Sequence, residues 1–163
     1  MKHLPFHPNR DKRNWSSVEL AQAYFRIIKE EAHLPTPRDV LDVGCGNGYF
    51  VMGALNEGAN VYGVDLRPEI YQGPKERLII TDATARLPFE NESFDLVVDS
   101  WFSLDLLELQ REKLDLIYAV QREFARILRP GGIRVGFPDT FYTKEFTDRA
   151  RWHGIFDLDR KQV

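Results

Sequence analysis

Cysteine is almost absent: Cys45 stands alone in 163 residues, so no internal disulfide framework holds the chain together, and a reducing cytoplasm is the expected setting. The histidines, His3, His7, His33 and His153, share no ligand spacing, and no metal site is expected from them. No run approaches the roughly 20 apolar residues of a membrane span. The N-terminal stretch Met1–Pro8 lacks an apolar core of signal-peptide length, so neither membrane contact nor export is expected. Nor is there a large charge of one sign, since the net charge is −3. Only residues 1–13 are locally basic, with Lys2, Arg10, Lys12 and Arg13 against Asp11, and such an arm is more simply solvated than laid along a nucleic acid. Internal repeats and low-complexity segments are missing too, which leaves one domain, residues 1–163, long enough to bury a core of its own.

What is present begins at Val40-Leu41-Asp42-Val43-Gly44-Cys45-Gly46-Asn47-Gly48-Tyr49-Phe50. An apolar run of strand character breaks on three glycines spaced two apart and resumes with helical spacing, the pattern of a strand, a tight loop and a helix start. Glycine leaves no Cβ in the way of a bound molecule, so such a loop is built to hold a ligand. A dinucleotide fingerprint would put its third glycine five positions after the first, where this chain has Tyr49; a phosphate-cradling P-loop would need Gly-Lys-Ser/Thr, which does not follow.

Around that loop the chain divides into an extended arm at 1–14, an N-terminal helix at 15–34 and a core at 38–137. Ser16-Ser17-Val18-Glu19 has capping-box spacing, and Leu20, Tyr24, Ile27 and Ile28 fall on one helical face. Strands are expected at Val40–Val43, Asn60–Val64, Arg77–Ile80, Phe94–Asp99 and Ile133–Phe137. Helices connect them at Tyr49–Glu57, closed by Gly58, and through Leu114, Ile117, Phe124 and Leu128, closed by Pro130-Gly131-Gly132. The links Pro68–Glu76 and Ala83–Glu92 are too short or irregular for full helices. The alternation predicts an α/β fold, a doubly wound, Rossmann-like, mainly parallel sheet with flanking helices.

In such a sheet, ligands lie beyond the carboxyl ends of the strands. Asp65 is therefore expected beside Gly44–Gly48, where its carboxylate can accept two ribose hydroxyls, and Asp82-Ala83 beyond the next strand can read a base edge. The same aspartates have a plainer use as caps of the turns that follow them. Cys45 reads as a small packing residue, because no base lies beside it in the sequence.

In order, the segments Leu41–Gly48, Val64-Asp65-Leu66, Asp82-Ala83 with Leu87-Pro88-Phe89, Ser93–Val98 and Leu128–Gly132 resemble the class I S-adenosylmethionine-dependent methyltransferases, of the small methyltransferase-domain type. The resemblance covers roughly residues 38–137. It implies S-adenosylmethionine as cofactor, with S-adenosylhomocysteine as product. It also implies that Asp42 and the backbone of Gly44, Cys45, Gly46, Asn47 and Gly48 hold the methionine end. Asp65 would take the ribose, Leu66 would lie against the adenine, and Asp82 with Ala83 would read its edge. Ser100 and Trp101 would sit near the methyl, and Tyr24 would cover the cofactor carboxylate or serve as a core tyrosine. No catalytic residue is required, because the donor is already activated; Asp99, Asp139, Tyr142, His3 and His7 are the candidates for a base. The Asn/Asp/Ser-Pro-Pro-Tyr/Phe motif of amino-methylating relatives is replaced by Asp99-Ser100-Trp101-Phe102.

Family members usually follow the fifth strand with a helix and a hairpin, whereas only Pro138–Val163 remain here. A sheet of five to six strands rather than seven is expected, its edge covered by the tail or by a second subunit in a homodimer. The acceptor is expected to be a small molecule, with a protein or RNA as the alternative if Trp15, Trp101, Phe102, Phe141, Tyr142 and Trp152 are core. The competing reading of the whole is a non-catalytic S-adenosylmethionine-binding module or a subunit of a larger methyltransferase complex.

Overall fold

The computed structural model describes residues 15–32, 38–100 and 114–137. The expected arm, Trp101, Phe102, Asp139, Phe141, Tyr142, Trp152 and the tail after the fifth strand lie outside the described residues.

The chain runs α1 (Val18–Glu31), β1 (Asp39–Val43), α2 (Tyr49–Asn56), β2 (Asn60–Asp65), two 3-10 turns (Pro68–Ile70 and Lys75–Arg77), β3 (Leu78–Ile80), β4 (Phe94–Ser100), α3 (Leu114–Ile127) and β5 (Leu128–Phe137). The strands form one sheet in the order β3-β2-β1-β4-β5, every described pair parallel. Because β1 lies between β2 and β4, the chain reverses its direction of progress across the sheet at β1. The crevice at the carboxyl ends of β1 and β4 is therefore the topological switch point where ligands of such folds bind.

The sheet is apolar on both faces because both are covered. On one face Val40, Val61, Leu96, Val98, Ile133 and Val135 pack with Ala21, Phe25 and Ile28 of α1 and Phe50, Val51 and Ala54 of α2. On the other, Leu41, Val43, Val64 and Val97 meet Ile117, Val120, Phe124 and Ile127 of α3. Phe25, Phe50 and Phe124 are fully buried, and removing such a ring costs about 3–5 kcal/mol.

Two details differ from the sequence expectation. The buried face of α1 is Ala21, Phe25 and Ile28, at i, i+4 and i+7, while Leu20 is 43% exposed; the helix is turned by one residue because the larger Phe25 ring packs edge-on against Phe50, 5.9 Å between centroids. Its cap is Ser17, not Ser16, and the Ser17 hydroxyl accepts from Leu20 N at 3.2 Å.

Pro130-Gly131-Gly132 does not close α3 either. The helix ends at Ile127, where the N–H groups of Glu92 and Ser93 donate to the carbonyls of Arg126 and Ile127 at 3.0 and 2.8 Å. The Pro-Gly-Gly stretch instead lies within β5 as a bulge. The register passes from Phe94 opposite Leu128 to Leu96 opposite Ile133, so several β5 residues face Asp95 alone. Proline lacks the N–H that a regular ladder needs and disfavours helix at Arg129 before it, which accounts for both the stop and the bulge.

The thin link Ala83–Glu92 is held to α3 by side chains rather than by a helix of its own. Glu123 accepts from Leu87 N at 2.8 Å, and Arg126 donates to the carbonyls of Leu87 and Phe89 at 3.2 and 2.8 Å.

Candidate functional site

The glycine loop joins β1 to α2 at the switch point, and its amides are turned inward. Gly44 and Cys45 donate to the Val64 carbonyl at 2.8 and 3.0 Å, and Gly48 donates to the Cys45 carbonyl at 2.8 Å. Gly46 N donates to Asp65 Oδ2 at 2.8 Å. A phosphate cradle needs those N–H groups free and pointing at the ligand. Here four loop amides are satisfied within the protein, so the loop offers space and not anion-binding donors.

Gly48 has φ +76°, and a Cβ there would stand 2.3 Å from the Tyr71 ring. Both conformation and space therefore demand glycine. Asn47, expected to contact cofactor, is engaged structurally: its Nδ2 donates to the Trp15 carbonyl at 3.0 Å, and its Oδ1 accepts from Tyr49 N at 3.2 Å in the first turn of α2. Cys45 is buried, and at Gly63 on β2 a Cβ would stand 2.7 Å from its sulfur. Burial, reinforced by the Asp42 and Asp65 carboxylates, pushes its thiol well up, as suits a packing residue and not a nucleophile.

Three carboxylates gather at the strand ends, in different states. Asp42 is fully buried, and neither of its oxygens has a hydrogen-bond partner among the described residues. Burial first, then the charges of Asp65 and Asp99, push its carboxyl well above the ordinary range. Asp65 accepts from Gly46 N through Oδ2 and from Arg67 N through Oδ1 at 2.9 Å. It therefore ties the end of β2 to the loop, and because a carboxylate offers about four lone-pair sites, it still has room for hydroxyl donors. Asp99 pairs with Arg134 of β5, both buried, and the Arg134 guanidinium lies 5.3 Å from the centre of the Phe124 ring. Asp99 is thus one half of a buried ion pair that joins β4 to β5.

Toward β3 the crevice becomes apolar and open. Leu66, just past the end of β2, is 51% exposed and Ile80 of β3 62% exposed, where the strand ends pair Asp65 with Ile80. Asp82 Oδ1 caps the next turn, accepting from Thr84 N and Thr84 Oγ1 at 2.8 and 2.7 Å, and Ala83 beside it is buried. Ser100 ends β4. Tyr24 is half-buried, its ring tilted against Trp15 at 5.0 Å, and Trp15 is itself core, 5.8 Å from Phe50.

Two residues at the site escaped the sequence reading. Tyr71 lay in a link read only as a helical turn, and its ring fills the space in front of Gly48. Arg134 carried a visible signal, a cation inside an otherwise apolar strand, which implies a buried partner.

A methyltransferase domain model matches residues 41–135, more than half of the chain. The chain belongs to the class I S-adenosylmethionine-dependent methyltransferases. Its relatives in that family include a tRNA U34 carboxymethyltransferase of Azotobacter vinelandii, 36% identical over 58% of this chain and 30% of that protein. Another is a malonyl-[acyl-carrier protein] O-methyltransferase of Halorhodospira halophila, 34% identical over 74% of this chain and 44% of that protein. Among solved structures, a SAM-dependent methyltransferase from Archaeoglobus fulgidus superposes with a TM-score of 0.53 at 26% identity, over 69% of this chain and 49% of that one. The chain thus spans less than half the length of these methyltransferases.

The cofactor of this family is S-adenosylmethionine, and the residues present fit it. An unpartnered buried carboxylate suits an ammonium, a glycine cradle without phosphate donors suits a phosphate-free nucleoside, and an apolar open end suits a base. Among the described residues no helix is long and apolar enough to cross a membrane.

Proposed function

We propose that the chain, as one domain over residues 1–163, binds S-adenosylmethionine and transfers its methyl group to a small-molecule acceptor. The observation that carries the cofactor side is Asp42: a carboxylate with both oxygens buried and unpartnered, directly before the glycine loop. Nature tolerates such a group where a ligand completes it. In this reading Asp42 and the loop from Gly44 to Gly48 receive the methionyl end. Asp65 accepts the ribose hydroxyls while continuing to hold Gly46 N. Leu66 lies against the base, and Asp82 and Ala83 face its edge. When bound, the cofactor supplies a methyl group on a sulfonium, already activated for in-line displacement.

The protein's remaining task is to hold the acceptor in line and exclude water, which needs no acid or base unless the acceptor carries a proton. Among the candidate bases, Asp99 is paired with Arg134. Relatives act on acceptors as different as a tRNA and a malonyl carrier protein, so donor-side likeness does not name the acceptor. Trp15 turns out to be core, which narrows the aromatic mouth and keeps protein and RNA acceptors as the alternative. A cytoplasmic, reducing setting suits the single buried thiol.

Calorimetry with S-adenosylmethionine, S-adenosylhomocysteine and NAD tests the cofactor side: binding of the first two and not the third is expected, and NAD binding alone would overturn the reading. Transfer of labelled methyl into fractionated cell extract tests the acceptor. Label in the low-molecular-weight fraction is expected, label in protein or RNA would replace the acceptor class, and no transfer despite binding would favour a non-catalytic subunit.

A further inference from the structure

The segment from Asp82 to Glu92 crosses from β3 to β4 without a helix or strand of its own, and one side-chain pair of α3 holds its middle. Leu87 is held through both of its backbone groups: its N–H donates to Glu123 Oε1 at 2.8 Å, and its carbonyl accepts from Arg126 at 3.2 Å. The same guanidinium donates to the Phe89 carbonyl at 2.8 Å and to Asn91 Oδ1 at 2.9 Å. Glu123 and Arg126 stand one helical turn apart and fix each other through two charge-assisted hydrogen bonds, at 2.6 and 2.9 Å. Each is therefore oriented before it meets the loop.

The start of the segment is equally constrained. Asp82 Oδ1 accepts from Thr84 N and Thr84 Oγ1, and Ala85 N donates to the Asp82 carbonyl at 3.0 Å. Ala83 and Leu87 are both buried, in one cluster with Ile117, Val120 and Phe124 of α3. Only Arg86 separates that turn from Leu87. The place of Asp82 and Ala83 is thus set from two sides, by β3, after which Thr81 N donates to the Asp65 carbonyl at 3.2 Å, and by α3 acting through Leu87.

We propose that Glu123 and Arg126 are positioning residues for base selectivity: by fixing Leu87 they hold the Asp82 carboxylate and the Ala83 N–H in register with the edge of the adenine. This rests on the cofactor reading above and names what distinguishes the base in that site. A hydrogen bond weakens steeply as its distance and angle drift, so a loop tells one base from another only if something stiffer holds it. The apolar surface of Leu66 and Ile80 cannot make the distinction, because it meets either purine alike.

The test uses S-inosylhomocysteine, which is S-adenosylhomocysteine with the exocyclic amine replaced by a carbonyl and the ring nitrogen beside it by an N–H, the sugar and amino acid unchanged. Calorimetry on the unmodified protein is expected to show the adenine compound binding at least about 10-fold tighter. Arg126→Ala, which releases the Leu87 and Phe89 carbonyls, is expected to bring the two within about 3-fold, by weakening the adenine compound and leaving the hypoxanthine compound within about 2-fold. Arg126→Lys keeps the charge but not the fork of donors and should fall between. A merely structural role moves both ligands together, so equal loss for both, or no loss for either, overturns the proposal. If the unmodified protein binds neither ligand, the cofactor reading itself fails; if it binds both alike, the base-edge roles of Asp82 and Ala83 fail and the proposal with them. Should Arg126→Ala not fold, Glu123→Gln, which keeps the size of the side chain and removes its charge, decides in the same way: a narrowed ratio supports the positioning role, and an unchanged one overturns it.

Discussion

Strands β1 and β4 each carry an aspartate near both ends, Asp39 and Asp95 at the amino ends, Asp42 and Asp99 at the carboxyl ends, and the two ends treat them differently. At the amino ends the carboxylates are tied down. Arg129 bridges Asp39 at 2.7 Å and Asp95 at 3.0 Å, Arg38 adds a second guanidinium to Asp95 at 3.1 Å, and Asp39 N donates to Asp95 at 3.1 Å. Burial would raise Asp95, but these donors outweigh it and hold the carboxyl below its ordinary value. At the carboxyl ends Asp99 has Arg134, Asp65 of β2 has two backbone amides, and Asp42 has no hydrogen-bond partner among the described residues. The same strands thus engage every one of these carboxylates except Asp42, the one directly before the glycine loop. A neighbouring open groove of about 620 Å³ at the amino ends, lined by Tyr62, Ile79, Phe89 and Arg129 among others, shows the same rule, since its arginine is already engaged by Asp39 and Asp95.

Four measurements probe that contrast. The largest effect is expected from Asp65→Ala, which removes both the ribose acceptor and the anchor of Gly46. S-adenosylhomocysteine affinity by calorimetry should fall on the order of 100-fold, the equivalent of roughly two hydrogen bonds to a charged group. Unchanged affinity would place the pocket elsewhere and dissolve the contrast.

Asp42→Asn comes next and should act in opposite directions on two readouts. It replaces a buried, unpartnered carboxyl with a neutral amide, so the cofactor-free protein should melt at least as high at neutral pH, while S-adenosylhomocysteine binds about 10-fold weaker. A clear fall in melting temperature would mean that Asp42 is held by the fold and not reserved for a ligand.

Asp95→Asn is the mirror case. It should destabilise the fold by about 1–2 kcal/mol in urea titration, by weakening its hydrogen bonds and ion pairs, and leave cofactor affinity within about 2-fold.

The smallest effect is the pH dependence. Because the folded-state pKa of Asp95 is lowered, its contribution is present above the unfolded value near 3.8 and is lost as pH falls through the lower folded value. Asp42, raised, works the other way: the folded state binds the extra proton, so its contribution is fully present below the unfolded value and fades as pH rises toward the folded one. Melting temperature against pH should therefore lose its acid-side drop in Asp95→Asn and its decline with rising pH in Asp42→Asn.

Much of this could be read locally. Glycines at 44, 46 and 48 after an apolar strand, Asp65 at a second strand end and the ordered motifs through Gly132 led to the parallel sheet and to a nucleoside without phosphates. Periodicity also located the helices, although it missed the face of α1 by one residue and took the Pro-Gly-Gly bulge for a helix stop. What the pattern left open was the state of each charge. Asp42, Asp65 and Asp99 look alike in the sequence, each an aspartate at or near the end of an apolar strand. Only the sheet order brings Arg134 of β5 onto Asp99, folds Gly46 onto Asp65 and leaves Asp42 without a hydrogen-bond partner among the described residues.

The sequence by itself determined the donor side of the chemistry, because turn glycines and strand-end aspartates work through backbone conformation and hydrogen bonds close in the chain. Tertiary structure alone decided which carboxylate lacks a hydrogen-bond partner among the described residues and that Tyr71 backs the glycine loop. Desolvation and ion pairing depend on neighbours that crossover connections bring from tens of residues away, and no local spacing encodes them.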